Sequence, residues 1–325
     1  MSAANSYRAP RWLPGGHAQT IYPVLFAPRP RVAYRRERWA TPDGDFVDVD
    51  WALRGNGGAP DLKFDAPLVA LFHGLEGSSR SHYALSLMHA VMDAGWRGVV
   101  VHFRGCSGEP NRLPRAYHSG DSTEIDWMVR RLADSAPVLY AAGVSLGANA
   151  LLRWLGEHGD EATGILARAA AVSAPLDLMA AGNALDRGFN LLYTHHFLRT
   201  MRRKAVAKLA HHPGVYPREA VARARTLREF DNLVTAPLHG YRDTDDYWTR
   251  ASSKPVLRRI AVPTLVLNAR NDPFLPAAAL PLPADASAAV TLEQPAEGGH
   301  VGFVSGRFPG TLAWLPFRLL AHFRH

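Results

Sequence analysis

Gly143-Val144-Ser145-Leu146-Gly147 follows the apolar run from Pro137 to Ala142 and precedes a helix-forming run from Ala148 to Leu155. A strand that turns into a helix within two or three residues crowds its own backbone. Small residues on both sides of a central serine let that serine take up a strained turn. Its hydroxyl then stands over the edge of the sheet, and the helix beneath offers unpaired N–H groups to developing negative charge. A Gly-x-Ser-x-Gly also arises by chance in a chain with 27 glycines, so a tight turn without chemistry stays open until a histidine and an acid are found.

Apolar runs at the rhythm of a parallel sheet surround this stretch. They are residues 68–72, 98–102, 138–142, 169–172, 264–267 and 289–292, with helical patterns over 81–94, 122–133 and 146–157 between them. Strands covered on both faces by crossover helices read as continuously apolar, as these do. Alternation of strand and helix predicts an α/β class with a mostly parallel twisted sheet. Ahead of it, residues 32–39, the turn Thr41-Pro42-Asp43-Gly44 and the alternating Val47, Val49, Trp51 and Leu53 predict an antiparallel hairpin at the sheet edge, with Asp48 and Asp50 on the opposite side. Gly55 to Gly58 is expected to be a loop rather than a phosphate cradle, and residues 312–323 a final amphipathic helix. The first thirty residues show no clean period and are expected to form an arm that packs by its rings.

Between 172 and 264 the gap far exceeds what a strand-to-helix connection requires. Phe189, Leu192, Tyr193, His196, Phe197, Met201, Ala205, Val206 and Leu209 recur there at three and four, one stripe of a helix. The expectation is one domain, 1–325, carrying an inserted helical cap over about 178–250 above Ser145. The formal charge is +8, and ten Lys or Arg against Asp186, Glu219 and Glu229 put +7 of it between Leu185 and Phe230. Such a segment is a solvated helix face, or a weak peripheral contact with anionic membrane. Nucleic acid is not an expected partner, because no base-reading or base-stacking motif accompanies the charge.

No apolar run approaches the roughly 18 to 20 residues that span a bilayer, and residues 1–10 lack the apolar core of a secretory signal. A cytoplasmic protein is expected. The single cysteine, Cys106, rules out an internal disulfide and a multi-cysteine metal site. The histidine pairs 195–196 and 211–212 show no recognised ligand spacing, so no metal is expected.

A serine hydroxyl needs a base to take its proton, and the base needs an acid to hold its tautomer. In a doubly wound sheet these come from loops after later strands, in the order serine, acid, histidine. The loop after 264–267 holds Asp272, and the loop after 289–292 holds His300 among Gly298, Gly299 and Gly302. A capping or turn role for Asp272 and a plain loop role for His300 are the alternatives, and Asp177 is the rival acid. Two backbone donors are expected for an oxyanion: Leu146 N–H, next after the serine, and Leu75 N–H in the loop His73-Gly74-Leu75-Glu76-Gly77. His73 is expected to shape that loop.

The chain resembles the YheT-type branch of the α/β-hydrolases, the AB hydrolase 4 family. The motifs that carry the resemblance are 11–20 (RWLPGGHAQT), 73–79 (HGLEGSS), 103–112 (FRGCSGEPNR), 117–121 (YHSGD), 143–149 (GVSLGAN), 271–273 (NDP) and Gly299-His300. That family includes eukaryotic acylglycerol and phospholipid hydrolases and yeast ethyl ester synthase/esterases. The resemblance implies an α/β-hydrolase fold and a charge relay of Ser145, Asp272 and His300, with no cofactor. It implies no particular substrate. Cys106 is expected to be a packing or loop residue, since no second base and acid set accompanies it. The expected activity is a serine-dependent cleavage of a small-molecule acyl ester. Acyl transfer to an alcohol in the same fold, or ligand binding without catalysis, are the alternatives.

Overall fold

The structure is a computed structural model that describes residues 7–53 and 65–325; the glycine-rich stretch 55–58 lies outside the described residues. Eight strands form one sheet: β1 Ala33–Ala40, β2 Phe46–Leu53, β3 Leu68–Phe72, β4 Arg97–Val101, β5 Leu139–Val144, β6 Arg168–Val172, β7 Thr264–Leu267 and β8 Val290–Glu293. They lie in the order β1-β2-β4-β3-β5-β6-β7-β8. β1 and β2 pair antiparallel, β2 meets β4 antiparallel, and every pairing from β4 to β8 is parallel.

Successive residues of a strand face opposite sides, so a strand covered on both faces must be apolar throughout. Leu68, Ala70 and Phe72 of β3 pack with Ile125, Met128 and Leu151, whereas Val69 and Leu71 pack with Leu87, Val91 and Phe323. The first face is covered by α3 (Ser122–Ala133) and α4 (Leu146–His158). The second is covered by α2 (His82–Asp93) and the C-terminal α11 (Trp314–Arg324).

The hairpin forms as expected, but β2 is an inner strand. Asp48 and Asp50 are therefore buried, and salt bridges to Arg38 and Arg36 at 2.8 Å each satisfy them. Asp50 also accepts from Ser79 Oγ at 2.6 Å and meets His102 Nε2 at 2.9 Å. The alternation holds, and its charged side carries buried ion pairs.

The N-terminal arm packs by its rings, and within it α1 forms over Gly16–Leu25 with Pro23 inside it. Trp12 packs edge-on against Tyr22 and Phe308. Tyr7 packs edge-on against Phe303 and Trp314, and Gln19 and Thr20 are buried as well.

Between β6 and β7 lie α5 (Leu178–Leu185), α6 (Leu191–Lys208), the short α7 (Arg218–Arg223), α8 (Leu227–Phe230), a π-helical turn at Asp231–Thr235, α9 (Ala236–Leu238) and α10 (Thr244–Ala251). They share an apolar core of their own around Leu198, Tyr216, Phe230 and Trp248. The expected stripe on α6 packs into that core through Tyr193, Phe197, Met201, Ala205, Val206 and Leu209, with Leu198 fully buried beside it, whereas Phe189 and Leu192 are exposed. The basic run is also less solvated than its composition indicates. Lys204 pairs with Glu76, Arg228 with Asp245, and Arg202 and Lys208 donate to carbonyls. Among the described residues no helix is long and apolar enough to cross a membrane.

Candidate active site

Ser145 stands where β5 ends and α4 begins, with φ 53° and ψ −119°. A non-glycine residue in that region is strained, and neighbours must hold it there. Small residues do so. A Cβ on Gly147 would come within 2.5 Å of the Phe72 and His73 carbonyl oxygens, and one on Gly143 within 2.8 Å of Ala148 backbone. The Ser145 N–H donates to the Val172 carbonyl at 2.9 Å, tying the turn to β6.

The loops after β7 and β8 bring the two expected partners to this serine. His300 Nε2 lies 3.0 Å from Ser145 Oγ, and His300 Nδ1 lies 2.8 Å from Asp272 Oδ2. A carboxylate opposite Nδ1 places the ring proton there, leaving Nε2 to accept from the serine hydroxyl. The other Asp272 oxygen accepts from Phe274 N–H at 2.8 Å, and the Phe274 ring stacks on His300 with centroids 4.0 Å apart. Asp177 is elsewhere: it caps α5 by accepting from Ala180 N–H.

The His300 loop is held by α1, on Gln19 and Thr20, which belong to the motif 11–20 but were given no role in the site. Gln19 Oε1 accepts from Gly298 N–H at 2.8 Å and from Asn271 Nδ2 at 2.9 Å. Thr20 Oγ1 accepts from His300 N–H at 2.9 Å, and Asn271 Oδ1 from Gly299 N–H at 2.9 Å. The approach is so close that a Cβ on Gly302 would come within 2.1 Å of the Gln19 carbonyl oxygen, and one on Gly16 within 2.0 Å of that of Asn271. The available signal was the unexplained polar pair Gln19-Thr20 in an otherwise ring-rich segment.

Leu75 and Leu146 both line the serine's cavity. Leu146 opens α4, so its N–H is a first-turn donor with no carbonyl partner inside the helix. The loop carrying Leu75 passes directly over the serine, because a Cβ on Gly74 would lie 3.1 Å from Ser145 Cβ. Its base is His73, fully buried, which burial pulls down to about 3 and so keeps neutral. His73 Nε2 accepts from Phe103 N–H at 3.1 Å, so Nδ1 carries the proton and donates to the Gly74 carbonyl at 2.7 Å. On the far side of Leu75, Glu76 adopts φ 55°. Its N–H donates to Tyr117 Oη at 2.8 Å, and its carboxylate meets Lys204 Nζ at 2.8 Å. The neighbouring Cys106 thiol is pushed up to about 12 by burial and is therefore not a thiolate near neutral pH.

The cavity around Ser145 measures about 120 Å³; Leu178, Leu185, Phe197, Met201 and Trp248 of the helical segment roof it. Such a site can take a proton from a hydroxyl, pass it through one imidazole and offer backbone donors to an anion, all under an apolar cover. Among the described residues no group of three or more His, Cys, Asp or Glu side chains is placed to hold a metal ion.

Comparison with known proteins agrees with this architecture. A family model described as the alpha/beta hydrolase fold matches residues 67–306. The chain is 40% identical to the YheT protein of Escherichia coli over 93% of this chain and 88% of that protein. It is 34% identical to phospholipase ABHD3 of Mus musculus over 92% of this chain and 73% of that one. Among solved structures, a Pyrococcus furiosus esterase superposes with a TM-score of 0.55 at 15% identity, covering 90% of this chain and 91% of its own, which speaks to the fold alone. With the sheet order, the serine turn and these likenesses together, the chain belongs to the α/β-hydrolase family, in its YheT-type branch.

Proposed function

We propose that the protein hydrolyses carboxylic (acyl) esters through Ser145, His300 and Asp272. The observation that carries this is the unbroken hydrogen-bonded relay from Ser145 Oγ through His300 to Asp272, at 3.0 and 2.8 Å, opening onto an apolar cavity. The kinship with a protein named as a phospholipase, an ester-cleaving activity, supports the same reaction class.

In the reaction, Ser145 Oγ attacks the ester carbonyl carbon while its proton passes to His300 Nε2. Asp272 offsets the imidazolium charge across Nδ1. The carbonyl oxygen becomes an oxyanion facing the N–H groups of Leu75 and Leu146, each donor worth about 10²–10³ in rate. Collapse expels the alcohol, which takes the proton from His300 and leaves Ser145 acylated. Water then attacks the acyl carbon and gives its proton to His300, which returns it to Ser145 Oγ as the acid leaves and the serine is freed.

Turnover of p-nitrophenyl butyrate by the protein and by Ser145→Ala tests the proposal. The variant should keep its far-UV circular dichroism and lose turnover. Activity retained in Ser145→Ala would overturn it.

A further inference from the structure

An ester presents two arms on either side of one carbonyl, and the cavity at Ser145 has little room for both. At about 120 Å³ it falls below the roughly 300–1,000 Å³ typical of small-molecule sites. A second chamber of about 510 Å³ lies beside it, between α6 and the loop 104–116. Leu75, Tyr117, Met201 and Thr235 line both spaces and so form the partition between them. Leu75 carries one of the two backbone donors assigned to the oxyanion. A carbonyl held against that donor stands at the partition, with one arm directed into each space.

The chamber's lining decides what it can hold. Its apolar wall is Tyr216, Phe230, Val234 and Leu238, faced by Pro110 and Pro114. Its inner charges are already engaged. Lys204 is closed on Glu76 at 2.8 Å, and the Arg104 guanidinium lies on Glu124 at 2.9 Å. All three donors of Lys208 meet oxygens, Asn111 Oδ1 at 2.6 Å, Leu113 O at 2.8 Å and Arg115 O at 3.0 Å. The other charged lining residues, Arg203 and Glu109, are exposed, so an anionic group passing inside them would have to break one of these contacts. An alkyl chain breaks none and removes apolar surface from water.

We infer that this chamber receives the longer, unbranched apolar arm of the ester, while the shorter arm stays in the serine's own cavity. The inference rests on the ester-hydrolase function proposed above. It makes Met201 and the chamber wall the determinants of chain length.

Two ester series test it, one lengthening the acyl chain of p-nitrophenyl esters and one lengthening the alcohol of acetate esters. One series should rise in kcat/KM by about fourfold per added methylene over its first members, the value for burying a CH₂. The other should stop rising after a short chain, and which series climbs identifies the arm. Leu238→Trp and Pro114→Trp narrow the chamber from opposite walls, so failure of one to fold leaves the other. Either should lower the long-to-short ratio of kcat/KM at least tenfold in the climbing series. A flat response in both series, or a ratio unchanged in the folded variants, overturns the inference. Ser145→Ala separates the two proposals: turnover that survives in it sinks the ester-hydrolase function, whereas its loss together with an unchanged ratio sinks only the chamber.

Discussion

Replacing Thr20 by valine asks whether α1 positions the base. Thr20 is 6% exposed, and its hydroxyl accepts from His300 N–H at 2.9 Å while donating to the Gly16 carbonyl at 2.7 Å. Valine keeps the shape and removes both bonds. An N–H left without an acceptor in a buried setting costs about 1–3 kcal/mol, and the lost bond to Gly16 adds about 1 kcal/mol. Unfolding stability should therefore fall by roughly 2–4 kcal/mol. The loop itself should persist, since Gly298, Gly299 and Val301 keep their N–H acceptors on Gln19, Asn271 and Ser173. What weakens is the preference for the His300 position that reaches Ser145. At roughly tenfold per 1.4 kcal/mol, kcat/KM should drop about 10- to 100-fold, and Thr20→Ser, which retains the hydroxyl, should stay within about threefold of the parent. Urea unfolding and p-nitrophenyl butyrate kinetics on the three proteins provide the test. Equal kcat/KM in the valine and serine variants would refute the positioning role.

Other expectations concern the cover and the turn. Asp231 is buried beside the serine's cavity, and desolvation pushes it up to about 6 against hydrogen bonds from Thr235 and Trp248. Its folded-state value exceeds the unfolded one, so the native state binds the extra proton and stability should fall as pH rises from about 4 to 6, by about 3 kcal/mol. Asp231→Asn should flatten that window in urea unfolding; a slope equal to the parent's would count against it. Lys204→Met frees Glu76 beside Leu75 and should lower kcat about tenfold with little change in KM, whereas a change confined to KM would place the pair in substrate binding instead. Gly147→Ala drives a Cβ into two backbone oxygens of β3's end and should cost more than about 3 kcal/mol, so recovery of protein with the parent's melting temperature would contradict the packing described.

The sheet was legible because strands buried on both faces carry their environment in their composition, as 68–72 and 169–172 do. Ser145, Asp272 and His300 were legible because strand ends locate loops, and three such loops fell in the required order. The burial of Asp48 and Asp50 was not legible, because a period of two reports which residues share a face, not whether that face meets water. α1 was missed for a related reason. Its buried residues include Gln19 and Thr20, whose value lies in hydrogen bonds to a loop some 280 positions away, and no local pattern encodes that. Lys204 and Lys208 sat inside a charge run whose composition resembles a solvated face, yet α6 turns both inward to hold the loops beside Leu75 and Asn111.

The central claim is that the hydroxyl of Ser145 is the nucleophile and that His300 activates it. Labelling the folded protein with an alkyl fluorophosphonate and locating the adduct by peptide mass spectrometry tests this most directly. The account predicts modification at Ser145, slowed at least a thousandfold in His300→Ala. An adduct on another residue, or labelling of Ser145 at the parent's rate without His300, would contradict it.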